Sequence, residues 1–220
     1  MKKGKFLVID GTDGSGKATQ TKLLAERLQA AGRPVSTVSF PRYGEPSAAP
    51  ITEYLQGRYG SAEEVGPYRA SILYAVDRWA ASLDIRRRLE AGEHVIADRY
   101  VLANIGHQGG KITDLHEREK FIAWVIDLEH GTFGIPKPDL NLILHVPADI
   151  TLGLMAGRGG ADDIHERDVG HLRAAENSYL LAAKRLPDTV IIECVRQKIM
   201  LPRERVHELV WQQVSKVLDA

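Results

Sequence analysis

The stretch FLVIDGTDGSGKATQTKLLAERL, residues 6–28, decides the fold, because it joins an apolar strand, a glycine loop and a helix. The uninterrupted apolar run at its start is typical of a parallel strand that is covered on both faces. After the loop, Leu23, Leu24 and Leu28 recur at helical spacing. A strand, a tight loop and a helix in this order predict an α/β protein.

The loop GTDGSGK, residues 11–17, has the G-x-x-x-x-G-K form of a phosphate-binding P-loop. Its glycines let backbone N–H groups converge on phosphate oxygens, and the dipole of the following helix adds positive potential. Lys17 is expected to neutralise the transferring phosphates. A purely structural glycine turn is the alternative interpretation. The residues expected to bind the donor phosphates are Gly11, Gly14, Ser15, Gly16, Lys17, Ala18 and Thr19.

One position of this loop departs from the usual pattern. The residue after the lysine is commonly a serine or threonine that ligates Mg²⁺, but here it is Ala18, with Thr19 one residue later. A metal ion must then find other oxygen ligands. We expect Asp13 in the loop and Asp98 after a later strand to ligate Mg²⁺, with water completing an octahedral shell.

Four further apolar runs, rich in β-branched residues, alternate with segments of helical periodicity. Together with the first run they predict five strands, at 5–10, 35–40, 94–98, 140–146 and 189–194. Strands that alternate with helices predict a parallel sheet with right-handed crossovers and helices on both faces. The length of 220 residues favours a single domain of P-loop kinase type, residues 1–220.

Two stretches interrupt the alternation of strands and helices. Residues 41–67 are rich in Gly, Pro and Ser around a short helical pattern at 49–55, and residues 157–163 read GRGGADD. Long loops in compact domains are usually functional lids or insertions. We predict a short lid at about 157–168.

The charge composition excludes a global attraction to nucleic acid or to an anionic membrane. Lys+Arg number 29 and Asp+Glu number 29, so the formal net charge is zero. The single cysteine, Cys194, cannot form an internal disulfide, which favours a reducing, cytoplasmic setting. No apolar run approaches the ~18 residues of a membrane-spanning helix. We therefore expect neither a nucleic-acid nor a membrane partner.

Basic residues also follow the second and third predicted strands. Arg42 lies in FPRYG at 40–44, and Arg99 lies in DRY at 98–100. Ligands of open α/β sheets bind beyond the carboxyl ends of the strands, so both arginines can reach the crevice of Lys17. Two planar guanidinium groups at that place suit an acceptor phosphate. Surface salt bridges are the alternative role for these arginines.

A P-loop by itself leaves a GTPase switch, an ATPase motor and a small-molecule kinase open. The chain has no Asn-Lys-x-Asp string for reading guanine, and 220 residues without further modules argue against a motor. These observations favour a small-molecule kinase.

The helix predicted at 71–89 carries a candidate base site. At 100° per residue, four apolar residues fall within ~60° of one another and predict the stripe that packs on the core. They are Ile72, Val76, Trp79 and Leu83. Tyr74 and Arg78 then lie on the far, non-core side, where a ring and a guanidinium group can stack on and hydrogen-bond to a flat heterocycle. An exposed cation–π pair is the alternative.

Taken together, these residues resemble the thymidylate kinase family of nucleoside monophosphate kinases. Besides GTDGSGK and FPRYG, the resemblance is carried by YAVDR at 74–78, by DRY with Asn104 and Gln108, and by DIHERD at 163–168. It implies the reaction ATP + dTMP → ADP + dTDP with Mg²⁺, usually in a homodimer.

The resemblance also implies a role for each matching residue. Asp13 matches the carboxylate that contacts the sugar 3′-OH and helps to hold the metal, while Arg42 and Arg99 match the arginines on the dTMP phosphate. At the base, Tyr74 matches the aromatic residue that stacks on thymine, and Arg78 matches the arginine that meets O4. The complete implied dTMP set is Asp13, Phe40, Arg42, Tyr43, Tyr74, Arg78, Arg99, Asn104, Gln108, Asp163 and Glu166.

Three members of this set match family residues that contact the base or the sugar. Either Asn104 or Gln108 matches the amide that reads N3 and O4 of the base. Tyr43 lies where the family packs an aromatic ring beside the deoxyribose, which disfavours a 2′-OH.

One group within the family has an arginine in the P-loop just after the carboxylate, and this chain has Gly14 there. The chain therefore resembles the other group, whose transition-state cations come from the lid. This comparison implies Arg158 and Arg167 jointly, and Arg158 can instead cover adenine or hold donor phosphate. Asp163 and Glu166 are expected to order the closed lid near the acceptor. The implied catalytic residues are Asp13, Lys17, Arg99, Arg158 and Arg167.

Two other functions stay open on the sequence. One is a nucleotide kinase for a different monophosphate or for an unphosphorylated deoxynucleoside, although Arg42 with Arg99 favours a charged acceptor. The other is a non-catalytic nucleotide-binding module, because Ala18 removes a usual metal ligand and the predicted lid is poor in cations.

Overall fold

Five strands form a parallel sheet in the computed structural model, which describes residues 2–151 and 169–219. The strands are β1 (Phe6–Asp10), β2 (Val35–Ser39), β3 (His94–Asp98), β4 (Leu140–His145) and β5 (Thr189–Glu193). Their order across the sheet is β2-β3-β1-β4-β5, and every neighbouring pair is parallel. The prediction of a five-stranded parallel sheet is confirmed, with strand ends within one residue of those expected.

Helices cover both faces of this sheet. They are α1 (Lys17–Ala30), α2 (Ala49–Leu55), α3 (Ala62–Glu90), α4 (Val101–Gly109), α5 (Leu115–Ile126), α6 (Val169–Ala183) and α7 (Arg203–Asp219). Smaller elements are a 3-10 turn at Pro46–Ala48, a π-helical turn at Asp127–Thr132 and a ribbon of β6 (Val195–Arg196) with β7 (Ile199–Met200). None of the helices in the described part of the chain is both long and apolar enough to cross a membrane.

The central strand β1 has a hydrophobic layer on each side. Phe6 and Val8 pack with residues of α3 to α6, whereas Leu7 and Ile9 pack with residues of α1 and α7. All four side chains are fully buried, and each such burial contributes about 1.5–3 kcal/mol to folding. Burial on both faces explains why the strand reads as an uninterrupted apolar run.

The strand register brings three loops together at one edge of the sheet. Asp98 at the end of β3 lies opposite Ile9 of β1 and Ser39 of β2. The chain therefore leaves these strands side by side, and the loops 11–17, 40–45 and 99–100 become neighbours. Proximity of these loops is what the sequence interpretation of a shared crevice required.

Helix α3 begins well before residue 71 and contains one break. A capping box starts it, in which Ser61 accepts a hydrogen bond from the backbone of Glu64 and the Glu64 carboxylate accepts one from the backbone of Ser61. Gly66 then interrupts the helix with a φ of 70°, immediately before Pro67. The long, regular part that follows carries Tyr74 and Arg78, the residues that the sequence predicts at the base.

The predicted orientation of α3 is wrong. The apolar stripe faces outward, since Ile72, Trp79 and Leu83 are 40, 54 and 77% exposed, and Val76 is only half-buried. The inward face over residues 71–78 of this helix is small or polar instead, with Ser71, Ala75, Asp77 and Arg78 buried. Helical periodicity correctly grouped the apolar residues on one face of α3. The face that packs on the protein interior is instead the one that carries ion-paired residues, so apolar character did not identify the buried face.

Helix α6 packs very closely on α4. A Cβ atom added at Gly106 of α4 would lie 2.2 Å from the ring of Tyr179, and one at Gly110 would lie 2.9 Å from the backbone of Ala175. Only glycine allows this approach. Leu172, Ala175 and Tyr179 of α6 are all buried in this contact region.

A half-buried histidine joins three elements beside the sheet. His145 at the end of β4 makes ion-pair contacts of 2.8 Å through Nε2 with Glu176 of α6 and of 2.7 Å through Nδ1 with Glu193 of β5. The second oxygen of Glu176 accepts a hydrogen bond from the backbone of Ala148. Burial favours the neutral ring, but the two carboxylates outweigh it and raise the pKa of His145.

We expect His145 to make stability depend on pH. Because its pKa is raised on folding, its contribution is complete below the unfolded value of about 6.5 and is lost as pH rises through the folded value. His145→Gln should therefore lower the melting temperature more at pH 6 than at pH 9. The exposed His116→Gln serves as the control, and a difference from wild type that does not change with pH would contradict this expectation.

Candidate active site

The P-loop makes a tight turn between β1 and α1, and its start lies close to the backbone of β4. Gly11 has a φ of 141°, and a Cβ atom there would lie only 2.5 Å from the carbonyl oxygen of Leu144. Gly14 and Gly16 also have positive φ, of 76° and 91°. Helix α1 begins at Lys17 without a side-chain cap, which leaves its first N–H groups for a phosphate.

Lys17 is buried in the mouth of the loop. Its Nζ donates a hydrogen bond of 2.8 Å to the carbonyl of Thr12 and lies 3.8 Å from Oδ1 of Asp13. Burial, together with the charge of Arg99, lowers the pKa of Lys17 to about 8. The hydroxyls of Thr12 and Ser15 are also buried and have no partner among the described residues. These groups suit an oxyanion ligand.

Asp10 ties the P-loop to its surroundings. Its fully buried carboxylate accepts hydrogen bonds from the backbone of Gly11 (2.9 Å), the backbone of Tyr100 (3.0 Å) and the hydroxyl of Tyr179 (2.8 Å). Burial is the largest influence and raises the pKa of Asp10. Asp10 belongs to no sequence motif beyond the end of the predicted first strand, and its position directly before the glycine loop is the one signal of its role in the sequence.

Arg99 and Asp13 form an ion pair at the edge of the P-loop. Arg99 stands in the left-handed region, with a φ of 66°, and its Nη1 lies 3.1 Å from Nε2 of His107. Burial alone would raise the pKa of Asp13, but the charges of Arg99, His107 and Lys17 hold it well below its usual range. Asp13 is therefore a carboxylate that fixes the guanidinium group.

A cavity of about 310 Å³ opens beside this pair. It is bounded by residues from the loop after β2, from α3 and from α4. The predicted site residues that line it are Asp13, Phe40, Tyr43, Tyr74, Arg78, Arg99, Asn104 and Gln108. His107, Lys111 and Tyr54 line it too, although no sequence motif marked them.

Arg42 does not line this cavity. Its Nε donates a hydrogen bond of 3.0 Å to Asp77, and its Nη2 donates one of 2.7 Å to Ser47. The backbone N–H of Arg42 also binds Asp77, at 2.8 Å. The guanidinium groups of Arg42 and Arg99 thus have different partners, and contact of Arg42 with an acceptor phosphate stays a prediction.

The sequence predicts Arg78 on an exposed, non-core side of α3, and this prediction is wrong. It is 2% exposed and forms a two-pronged ion pair with Glu129, at 2.5 Å through Nε and 2.7 Å through Nη2. The inward face of α3 is polar here because α4 and the π-helical turn bring their own polar groups against it. Tyr74 is half-buried and lines the cavity, one turn away.

Asn104, rather than Gln108, keeps an unused buried oxygen. Its Nδ2 donates to the carbonyl of Ser71 at 3.2 Å and to Glu129 at 3.1 Å, while its Oδ1 has no partner in the described residues. The Oε1 of Gln108 already accepts a hydrogen bond of 2.9 Å from Lys111. The two amides thus differ in whether their oxygen is already used, and which of them reads the base stays a prediction.

Asp98 has a buried Oδ1 without a hydrogen-bond partner among described residues. Burial, its largest influence, raises the pKa of this carboxyl group, so a nearby cation would stabilise the charged form. Asp13, by contrast, is already paired with Arg99 and Lys17. Within residues 2–151 and 169–219, no three His, Cys, Asp or Glu side chains group into a ready-made metal site.

The predicted lid lies outside the described residues. This applies to Arg158, Asp163, Glu166 and Arg167, so their roles stay predictions.

A P-loop beside a cavity that is lined by Arg99, held by Asp13, and by the buried side chains of Arg78 and Asn104 is typical of a P-loop nucleotide kinase. Comparison with known proteins agrees. The thymidylate kinase family model matches residues 9–207. The chain is 38% identical over 171 residues to thymidylate kinase from Mycobacterium tuberculosis H37Rv, covering 74% of this chain and 78% of the relative.

Two further comparisons extend the match along the chain. Thymidylate kinase from Caulobacter vibrioides is 32% identical over 193 residues, covering 87% of this chain and 88% of the relative. The solved structure of thymidylate kinase from Candida albicans has a similar fold, with a TM-score of 0.76 at 21% identity, covering 97% of this chain and 92% of that chain. The chain belongs to the thymidylate kinase family, which phosphorylates dTMP to dTDP with ATP in dTTP biosynthesis.

Substitution of either cation beside the P-loop should stop catalysis without unfolding the protein. We expect Lys17→Ala or Arg99→Ala to lower kcat at least ~100-fold, because each removes a positive charge from the transferring phosphates. A coupled ADP-release assay and a melting curve measure the two effects. The exposed Arg87→Ala is the control, and a large loss of melting temperature would show that Lys17 and Arg99 are structural instead.

Proposed function

We propose that this chain transfers the γ-phosphoryl group of ATP to the phosphate of dTMP. The observation that carries the proposal is the 310 Å³ cavity, which joins the P-loop through the Asp13–Arg99 pair and contains Arg78 and Asn104. ATP phosphates bind the backbone of residues 11–17 and Lys17, as P-loops do. The acceptor occupies the cavity.

The acceptor phosphate is held by Arg99. In-line phosphoryl transfer depends mainly on positioning and on neutralising the transferring oxygens, and Asp13 already fixes the Arg99 guanidinium group. Arg42, in the loop after β2, is the second proposed cation, and Asp77 of α3 orients it. Arg158 and Arg167 of the lid are proposed to add positive charge in the transition state.

The acceptor base lies against α3 and α4. Tyr74 stacks on thymine, Arg78 donates to O4, and Asn104 accepts from N3–H. Phe40 is buried at the cavity wall, and Tyr43 lies beside the deoxyribose, where it disfavours a 2′-OH. Gln108 shapes the same wall through its bond with Lys111.

Asp98 is the residue that fits Mg²⁺ best, because it offers a buried carboxylate oxygen with no other partner in the described chain. Asp13 is the second proposed ligand, and ATP phosphate oxygens and water complete the shell. When bound, the metal ion neutralises charge on the β- and γ-phosphate oxygens. Ala18 supplies no ligand, so these carboxylates replace the usual hydroxyl.

We also propose that the chain acts as a homodimer through the outward face of α3. Ile72, Trp79 and Leu83 form one exposed apolar stripe over residues 72–83 of this helix. A continuous apolar face of this kind is more typical of an interface than of a solvated surface. A cytoplasmic location stays a prediction, supported by the single free cysteine.

A panel of monophosphates tests the reaction. The coupled ADP-release assay with dTMP, dUMP, dCMP, dGMP and AMP should give the highest kcat/KM with dTMP, and EDTA should abolish the activity. No turnover of dTMP by folded protein would remove the proposal. Preference for another monophosphate would point to a different nucleotide kinase, and ATP binding without any turnover would point to a binding module.

Charged residues on the outward stripe should dissociate the dimer. We expect Trp79→Glu with Leu83→Glu to shift the mass measured by light scattering from two chains to one. Leu115→Glu, which places the same charge on an exposed leucine of α5, should leave the mass unchanged. A wild-type protein that is monomeric at micromolar concentration would contradict the proposed dimer.

A further inference from the structure

A closed polar cluster lies behind the wall of the cavity. Its members are Ser71, Arg78, Asn104 and Glu129, and each is at most 3% exposed. Glu129 stands at the centre, since it accepts hydrogen bonds from both Arg78 and Asn104. Arg78 and Asn104 line the cavity, whereas Glu129 does not. Any effect of Glu129 on a ligand must therefore pass through its two partners.

The partners of Asn104 determine which way its amide group is turned. Both acceptors near Nδ2, the carbonyl of Ser71 and the carboxylate of Glu129, lack a hydrogen to donate. An exchange of the amide oxygen and nitrogen would place three oxygens together without a proton between them. Asn104 therefore keeps its NH₂ group inward, and Oδ1 is the atom that it can offer as an acceptor.

The same carboxylate fixes the donor. Glu129 binds Nε and Nη2 of Arg78, which holds the guanidinium plane in one orientation and leaves Nη1 for another acceptor. A buried arginine also needs a negative partner to remain in place. Together, Arg78 and Asn104 present one donor and one acceptor side by side.

We propose that Glu129 is a positioning residue that fixes this donor–acceptor order and so selects a pyrimidine with an O4 acceptor and an N3–H donor. The proposal rests on the proposed function, because it assumes that the base lies in this cavity. Thymine and uracil match the order at both positions. Cytosine mismatches at both, since it has an acceptor at N3 and a donor at N4. A site that leaves buried polar groups unpaired can reject the wrong ligand by on the order of 10⁴-fold.

The backbone around Glu129 is built to hold its position. The carbonyl of Glu129 accepts a hydrogen bond of 3.0 Å from Ile135, and the carbonyl of Leu128 accepts one of 2.8 Å from Phe133. These bonds close the π-helical turn that carries Glu129, and π-helical turns are often found at functional sites. The turn places the carboxylate between α3 and α4, which each supply one reader of the base.

Glu129→Gln tests the proposal with almost no change of shape. Its amide group must direct a donor at Arg78 or at Asn104, and Asn104 relieves the clash by turning its NH₂ group toward the base. We expect kcat/KM for dTMP to fall at least ~30-fold through KM, with kcat within about threefold, while kcat/KM for dCMP stays level or rises. The ratio of kcat/KM for dTMP to kcat/KM for dCMP should thus fall at least ~30-fold.

Two further variants keep the result decisive. Glu119→Gln on the neighbouring helix removes the same charge from a partly exposed site and should leave the ratio unchanged. Glu129→Asp keeps the charge beside Arg78 but reaches less far, so we expect a ratio between those of wild type and Glu129→Gln. If Glu129→Gln does not fold, a fall of at least about fivefold in Glu129→Asp supports the proposal, and a ratio within twofold of wild type overturns it.

Equal losses for dTMP and dCMP in Glu129→Gln, or a loss confined to kcat, would show a merely structural role and overturn the proposal. Calorimetric binding of dTMP and dCMP, without ATP, gives the same ratio independently of turnover. If wild-type protein binds dTMP in preference to dCMP but does not phosphorylate it, the proposed function fails while the role of Glu129 is still decided by binding.

Discussion

The buried carboxylate of Asp10 is the constraint on which the site depends. A charged group this far from water is tolerated only when hydrogen bonds replace its hydration, and Asp10 accepts three. Its donors come from the start of the P-loop, from the turn that carries Arg99 and from α6. One side chain therefore fixes the relative positions of the P-loop, the turn that carries Arg99 and α6.

The same solution recurs throughout the site. Three arginines each form an ion pair with a carboxylate: Arg99 with Asp13, Arg42 with Asp77 and Arg78 with Glu129. Such pairs add little net stability, because desolvation offsets most of their attraction. What they provide is orientation, since a guanidinium group held by a carboxylate does not need to be ordered again when substrate binds.

The parts of the molecule that depend on local sequence could be predicted. Short runs of residues predict the P-loop and all five strands. The topology of a parallel sheet then predicts that the loops after β1, β2 and β3 meet at one edge of the sheet. The orientation of α3 could not, because periodicity shows which residues share a face but not what covers that face. Glu129 lies in a π-helical turn without a motif, and its partners come from two distant helices. The roles of the lid residues stay predictions.

The glycine contact between α4 and α6 links the proposed base site to the helix that follows the predicted lid. Helix α4 carries Asn104, and α6 follows directly on the segment where the lid is predicted. Gly106 lets the Tyr179 ring contact the α4 backbone, and the Tyr179 hydroxyl donates a hydrogen bond to Asp10. The two helices therefore pack too closely to slide past each other. The proposed recess for the acceptor base and the helix that follows the predicted lid are thus held in a fixed relation, which depends on the single hydrogen atom that Gly106 carries in place of a side chain.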